Sequence, residues 1–181
     1  MRQAAITLAI LMIVLQVGCS STPKSAAAGE SRTAKAKLAV ERFKQVDSTM
    51  SDNFFKDAVA WAVFPDVGKG GIGVGGAYGK GVLYENGSVV GYCDLAQGSI
   101  GFQLGGQVYS EIIFFQNKKT LEQFKSGTLE FAAQVSAVAA AADASADANY
   151  KHGVAVFTLG SKGLMYEASV GGQKFDYAPK D

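Results

Sequence analysis

Fourteen of the 22 glycines in this 181-residue chain fall between Gly68 and Gly106, and that crowding limits what the middle of the chain can become. Glycine inside a strand or helix weakens it, so such a run must serve geometry: close backbone approach, bulges or tight bends. The spacing lacks a strict period of three, which excludes a collagen-like triple helix. Gly71-Ile72-Gly73-Val74-Gly75-Gly76 fits the G-x-G-x-x-G pattern of a dinucleotide loop, and Asp94 lies at a suitable distance for a ribose contact. That loop must open a helix whose N-terminus holds the pyrophosphate. Here Ala77-Tyr78-Gly79-Lys80-Gly81-Val82-Leu83-Tyr84 follows, extended and glycine-rich. A phosphate-binding P-loop fails as well, because Val74 and Gly81 stand where the pattern needs Gly and Ser or Thr. The glycines therefore read as curved, closely approaching strands.

The rest of the chain fits around that sheet. Thr33 to Asp47 reads as an amphipathic helix carrying Leu38, Phe43 and Val46, and Ser51 to about Ala58 as a second helix. Ala60 to Phe64 reads as a buried strand stopped by Pro65. Strands from Gly70 to Glu85 and Ser88 to Asp94 flank Asn86-Gly87, a strong hairpin signal because both turn positions need positive φ. Ser99 to Phe115 continues extended, and Lys118 to Lys125 is a helix capped by Asn117 and ended by Gly127. Residues 128–149 are alanine-rich yet alternate at Leu129, Phe131, Ala133 and Val135, and read mainly as strand. Val154–Leu159 and Leu164–Val170 bracket a hairpin at Gly160-Ser161-Lys162-Gly163, and a last strand runs through Phe175 and Tyr177. The expected fold is α+β: a single domain with a glycine-rich curved antiparallel sheet or partial barrel, flanked by a few short helices.

At the N-terminus Arg2 precedes an apolar run from Ala4 to Val17 that closes on Gly18-Cys19. A positive start, a run of about 14 apolar residues and a small residue before the break predict a signal peptide over 1–18. The run is shorter than the roughly 20 residues a membrane-spanning helix needs. Residues 20–32, small and polar, read as a flexible tether. Removal of 1–18 takes away Arg2 and no acid, leaving 16 basic and 16 acidic side chains from the original 17 and 16. A neutral chain gives no electrostatic ground for nucleic-acid binding.

Charged residues make up only 18% of the chain and aromatics 10%, which argues for a packed core rather than disorder. Two cysteines and one histidine are too few for a structural zinc site. Asp143 and Asp147 lack the further oxygen donors calcium needs. His152 stands without a Ser or Cys nucleophile motif, so no catalytic set emerges and neither an enzyme nor a cofactor is expected. Cys93, in an apolar strand-like run, reads as a buried inert thiol.

Two resemblances sharpen this. Leu15-Gln16-Val17-Gly18-Cys19-Ser20-Ser21 resembles the lipobox of bacterial lipoproteins, with Gln16 where an aliphatic residue is usual. It implies acylation, palmitate included, at Cys19, and with Ser20 following, sorting to the outer membrane facing the periplasm. Phe64-Pro65-Asp66-Val67-Gly68-Lys69-Gly70-Gly71, continuing to Gly79-Lys80-Gly81-Val82, resembles the signature of the SYLF domain family. Gly98-Ser99-Ile100-Gly101-Phe102-Gln103-Leu104-Gly105-Gly106 looks like its second block. The resemblance spans roughly residues 35–177, so the chain divides into a signal at 1–18, a lipidated tether at 19–32 and a SYLF-like domain at 33–181. It implies a lipid-binding domain. Eukaryotic members take phosphoinositides and yeast relatives bind actin, but an exported bacterial protein meets neither in its own cell. The expected partner is a phospholipid membrane, with an envelope protein as the alternative. Lys69 and Lys80, matched to the signature, are the head-group candidates, with Lys118 and Lys119 as a second basic pair.

Overall fold

The computed structural model describes residues 21–101, 106–129, 131, 138–139, 141–160 and 172–180. The expected signal, Cys19, the loop at 161–163 and the strand expected over Leu164–Val170 lie outside the described residues.

The first helix, α1 (Ala26–Val46), begins seven residues before the expected start. Ser25 is extended and its hydroxyl accepts from the Ala28 amide at 3.2 Å, and Ala26-Ala27-Ala28 then propagate the helix at little cost. Residues 26–32 are thus helical, and the tether expected over 19–32 is corrected to that extent. Gly29, Ala36, Ala39 and Phe43 form the buried stripe, mostly small residues that let α1 lie close to the sheet. The second expected helix is a single π-helical turn, Ser51–Phe55, which buries Phe54.

Strand β1 (Ala60–Glu85) is followed by β2 (Ser88–Gly101), β3 (Gln107–Phe115), helix α2 (Lys118–Lys125), β4 (Val138–Ala139), β5 (Val154–Gly160) and β6 (Gln173–Pro179). Spatially the strands run β4-β5-β3-β1-β2-β6, antiparallel except for the two-residue β4–β5 pairing. Pro65 does not stop β1: the register shifts between Phe64 and Val67, so the residue lacking an amide sits in a bulge. Ser110 Oγ fixes that bulge by donating to the Pro65 carbonyl at 2.7 Å. In the β1–β2 turn Asn86 and Gly87 both have positive φ, 48° and 77°. Helix α2 starts at Asn117, whose side chain accepts from the Thr120 amide, and Leu121 and Phe124 face inward. Of residues 128–149, only Val138–Ala139 are strand among those described, and 142–146 form turns. The mainly extended reading of that stretch is corrected there.

The two halves of β1 do different work. Residues 60–69 pair with β3, and residues 73–85 pair with β2. Between them the strand bends so far that its halves touch. A Cβ at Gly79 would lie 2.8 Å from Val67 Cγ2, and one at Gly81 would lie 2.6 Å from the Phe64 ring and 2.7 Å from the Val63 carbonyl. The glycines flanking Lys80 are therefore required by close approach.

Alternation along the strands sends side chains to two cores. On the face covered by α1, Val63, Val82, Tyr92, Ile112, Phe114 and Phe157 pack with Phe43, Met50 and Phe54. On the concave face, Phe64, Leu83, Leu95, Ile113, Phe115 and Phe175 pack with Leu121, Phe124 and Phe131. The curvature is large enough that Phe175 of edge strand β6 reaches Phe64, with centroids 6.1 Å apart. The sheet is an open, coiled one, as expected.

Candidate functional site

The bend in β1 and the early start of α1 together create a groove of about 410 Å3. It is lined by Arg32 and Lys35 of α1 and by Pro65, Asp66, Tyr78 and Lys80 of β1. Because Gly79 and Gly81 face the concave side, Tyr78 and Lys80 fall on the α1 side. The trough continues along α1 past Lys35, Leu38 and Arg42, where Pro65 and Asp66 again form the wall. Leu38 is 67% exposed and Tyr78 38% exposed, so apolar and cationic groups share the opening.

A buried acid organises the floor. Asp94 Oδ2 accepts from the Tyr78 hydroxyl at 2.8 Å, and Oδ1 lies 3.4 Å from Arg32 Nη1. Burial pushes the Asp94 carboxyl upward, while the Tyr78 hydrogen bond, Arg32 and Lys80 pull it down. The Arg32 guanidinium also lies over the Tyr92 ring, 5.4 Å from its centroid, and Nη1 donates to the Ser21 carbonyl at 2.9 Å. Arg32 is thus spent on the protein itself. Lys35 pairs with Asp66 at 3.1 Å in the open, a bond worth little in water. Lys80 sits opposite Asp94 in the β1–β2 register, yet no ion pair among the described residues uses it. Its exposed ammonium acts on Asp94 at longer range and opens to the groove.

Of the sequence candidates, only Lys80 lines this groove. Lys69 is half-buried beside Gln107, farther along β1. Lys118 and Lys119 are exposed in the first turn of α2, whose inward face belongs to the concave-side core. Lys80 is instead brought together with Arg32 and Lys35, two residues the sequence reading missed. Their signal was present: Ser25 followed by an alanine run marks a helix start that places Arg32 and Lys35 one turn apart.

The other residues weighed from sequence take structural places. Cys93 is buried, and burial, with the nearby Asp94 charge, raises its thiol well above the ordinary range. His152 and Gly153 both have positive φ in a turn closed by Lys151 and Val154. Asp143 lies in a turn with φ of 59°. Among the described residues, no group of His, Cys, Asp or Glu is placed to hold a metal.

The architecture is that of a small α+β domain with a groove lined by Arg32, Lys35 and Lys80. Residues 96–179 match the family described as Ysc84, Las17-binding protein actin regulator. A protein named Beta cell expansion factor A, from Aeromonas veronii, is 32% identical over 72 residues. That stretch is 40% of this chain and covers 28% of that relative's length. Over residues 96–179 the chain is thus similar to the SYLF family. The matched region holds the end of β2, then β3, α2, β4, β5 and β6, whereas Arg32, Lys35 and Lys80 precede it.

Proposed function

We propose that this chain is a non-enzymatic lipoprotein of the bacterial envelope, exported by residues 1–18 and anchored through acylated Cys19. Its SYLF domain binds phospholipid, with the α1–β1 groove taking the head group. The observation that carries this reading is the groove itself, where exposed Lys80, in no ion pair within 4 Å among the described residues, shares the opening with Lys35, Leu38 and Tyr78. A phosphate oxygen beside Lys80 gains a charge-assisted hydrogen bond, and the apolar groups suit the glycerol and upper acyl region. The similarity of residues 96–179 to the SYLF family supports a domain of the lipid-binding type. Each lysine at an anionic surface is worth about 1 kcal/mol, so acylation supplies the attachment and the groove supplies selectivity.

The test is flotation of the chain beginning at Ser20, free of its anchor, with phosphatidylglycerol-containing vesicles. Binding that falls about tenfold in Lys80→Glu and is unchanged in Lys118→Glu supports the groove. Loss of neither, or copurification of an envelope protein without any vesicle binding, favours a protein-assembly role instead.

A further inference from the structure

The described chain reaches to within two residues of Cys19, and its first residues are fastened to the domain. Ser21 is buried, and its carbonyl accepts from Arg32 Nη1 at 2.9 Å. Arg32 is in turn held by Asp94 and by the Tyr92 ring. Pro23 then lies against Gly29, whose missing side chain lets α1 approach Tyr92: a Cβ there would meet the Tyr92 hydroxyl at 2.5 Å. From Ala26 to Val46 the chain is helix.

Resting on the reading that Cys19 carries the lipid, we propose that the domain is clamped against the phospholipid surface in a fixed orientation, with no swinging tether. Two residues span at most about 7 Å, so an acylated Cys19 brings Ser21 to the head-group layer. The surface beside Ser21 then becomes the membrane-facing side. It includes the α1–β1 groove with Lys35 and Lys80. It also includes a second groove of about 540 Å3 on the other flank of α1, lined by Pro23, Glu30, Lys37, Tyr92 and Lys180. With Asp94 and Asp176 counted beside Glu30 and Asp66, the side still carries more bases than acids, since Arg32 joins Lys24, Lys35, Lys37, Lys80 and Lys180. That balance suits an anionic lipid surface lying within a Debye length. Helix α2, with Lys118 and Lys119, packs on the opposite face of the sheet and points elsewhere.

The full chain, processed in cells and reconstituted in phosphatidylethanolamine–phosphatidylglycerol vesicles, tests this. Lys37→Cys, Lys80→Cys and Lys118→Cys each take a fluorescent label, and brominated lipids report proximity. Quenching at positions 37 and 80 should exceed that at 118 at least threefold. A twelve-residue Gly-Ser insertion between Ser20 and Ser21 should remove the difference while the protein stays in the membrane fraction. Equal quenching at all three sites without the insertion would overturn the clamp, as would a difference that survives it. The mass of the N-terminal peptide reports acylation separately: an unmodified Cys19 overturns the lipoprotein reading itself.

Discussion

Gln173 Nε2 on edge strand β6 donates to Glu111 Oε2 on β3 at 3.0 Å, across the concave face of the sheet. Both side chains are fully buried, and Glu111 Oε1 has no hydrogen-bond partner among the described residues. Burial pushes the Glu111 carboxyl up to about 8, against the pull of the Gln173 hydrogen bond. The folded protein therefore keeps a proton at neutral pH that the unfolded chain gives up above its ordinary value of 4.5. Stability is greatest below about 4.5 from this group and declines as pH rises toward 8. Denaturant melts should show the wild type losing stability between pH 5 and 8, by an amount on the order of a few kcal/mol. Glu111→Gln should flatten that slope; an unchanged slope would show that another group sets it.

Gly81→Ala tests the bend in β1. Its methyl would press on the Phe64 ring and the Val63 carbonyl, and backbone cannot yield as a flexible side-chain end can. Overpacking of this kind costs about 1–3 kcal/mol, with Tm falling about 2–4 °C for each. Gly98→Ala, where a Cβ meets open space, is the control and should melt close to wild type.

Asp47 closes α1 and is fully buried. Its carboxylate accepts from the Thr49 amide and hydroxyl, and from the Ser145 amide at 2.7 Å and hydroxyl at 2.9 Å. Asp47→Ala strands these donors and should cost about 3 kcal/mol by urea unfolding. Asp47→Asn keeps one acceptor oxygen and should cost less.

Removing the Arg32 side chain should free the chain's first described residues. In Arg32→Ala, trypsin should cut after Lys24 about tenfold faster than in wild type, since loss of a charged hydrogen bond is worth about 1.5–3 kcal/mol. Cleavage after Lys118, on the other face, serves as the internal reference. Equal acceleration at both sites would mean global loosening instead.

The β1–β2 hairpin, helix α2 and strands β5 and β6 were legible in the sequence because each carries a local signal. Asn86-Gly87 fixes one turn, Asn117 caps one helix, and alternating apolar residues mark β5. The glycine run was legible as close approach, but not as one strand meeting itself, because the contact of Gly81 with Phe64 spans 17 positions. Pro65 misled because a bulge depends on its partner strand, here through Ser110. Arg32 was hidden by the small polar residues around it, which read as tether until the helix cap at Ser25 is given its weight. The motif pointed to Lys80 as a groove residue but not to its neighbours there, since Arg32 and Lys35 arrive from a helix nearly fifty residues away.

Strand β1 also orders the assembly of the domain. Its second half finds β2 through a two-residue turn, a contact that forms early because little chain must be closed. Its first half must wait for β3, with Ala60 meeting Phe115 across 55 positions. One continuous strand thus belongs to both the earliest and a late step of folding. A folding chain would form the hairpin first, with the hydrophobic stretch Ala60–Phe64 uncovered until β3 arrives.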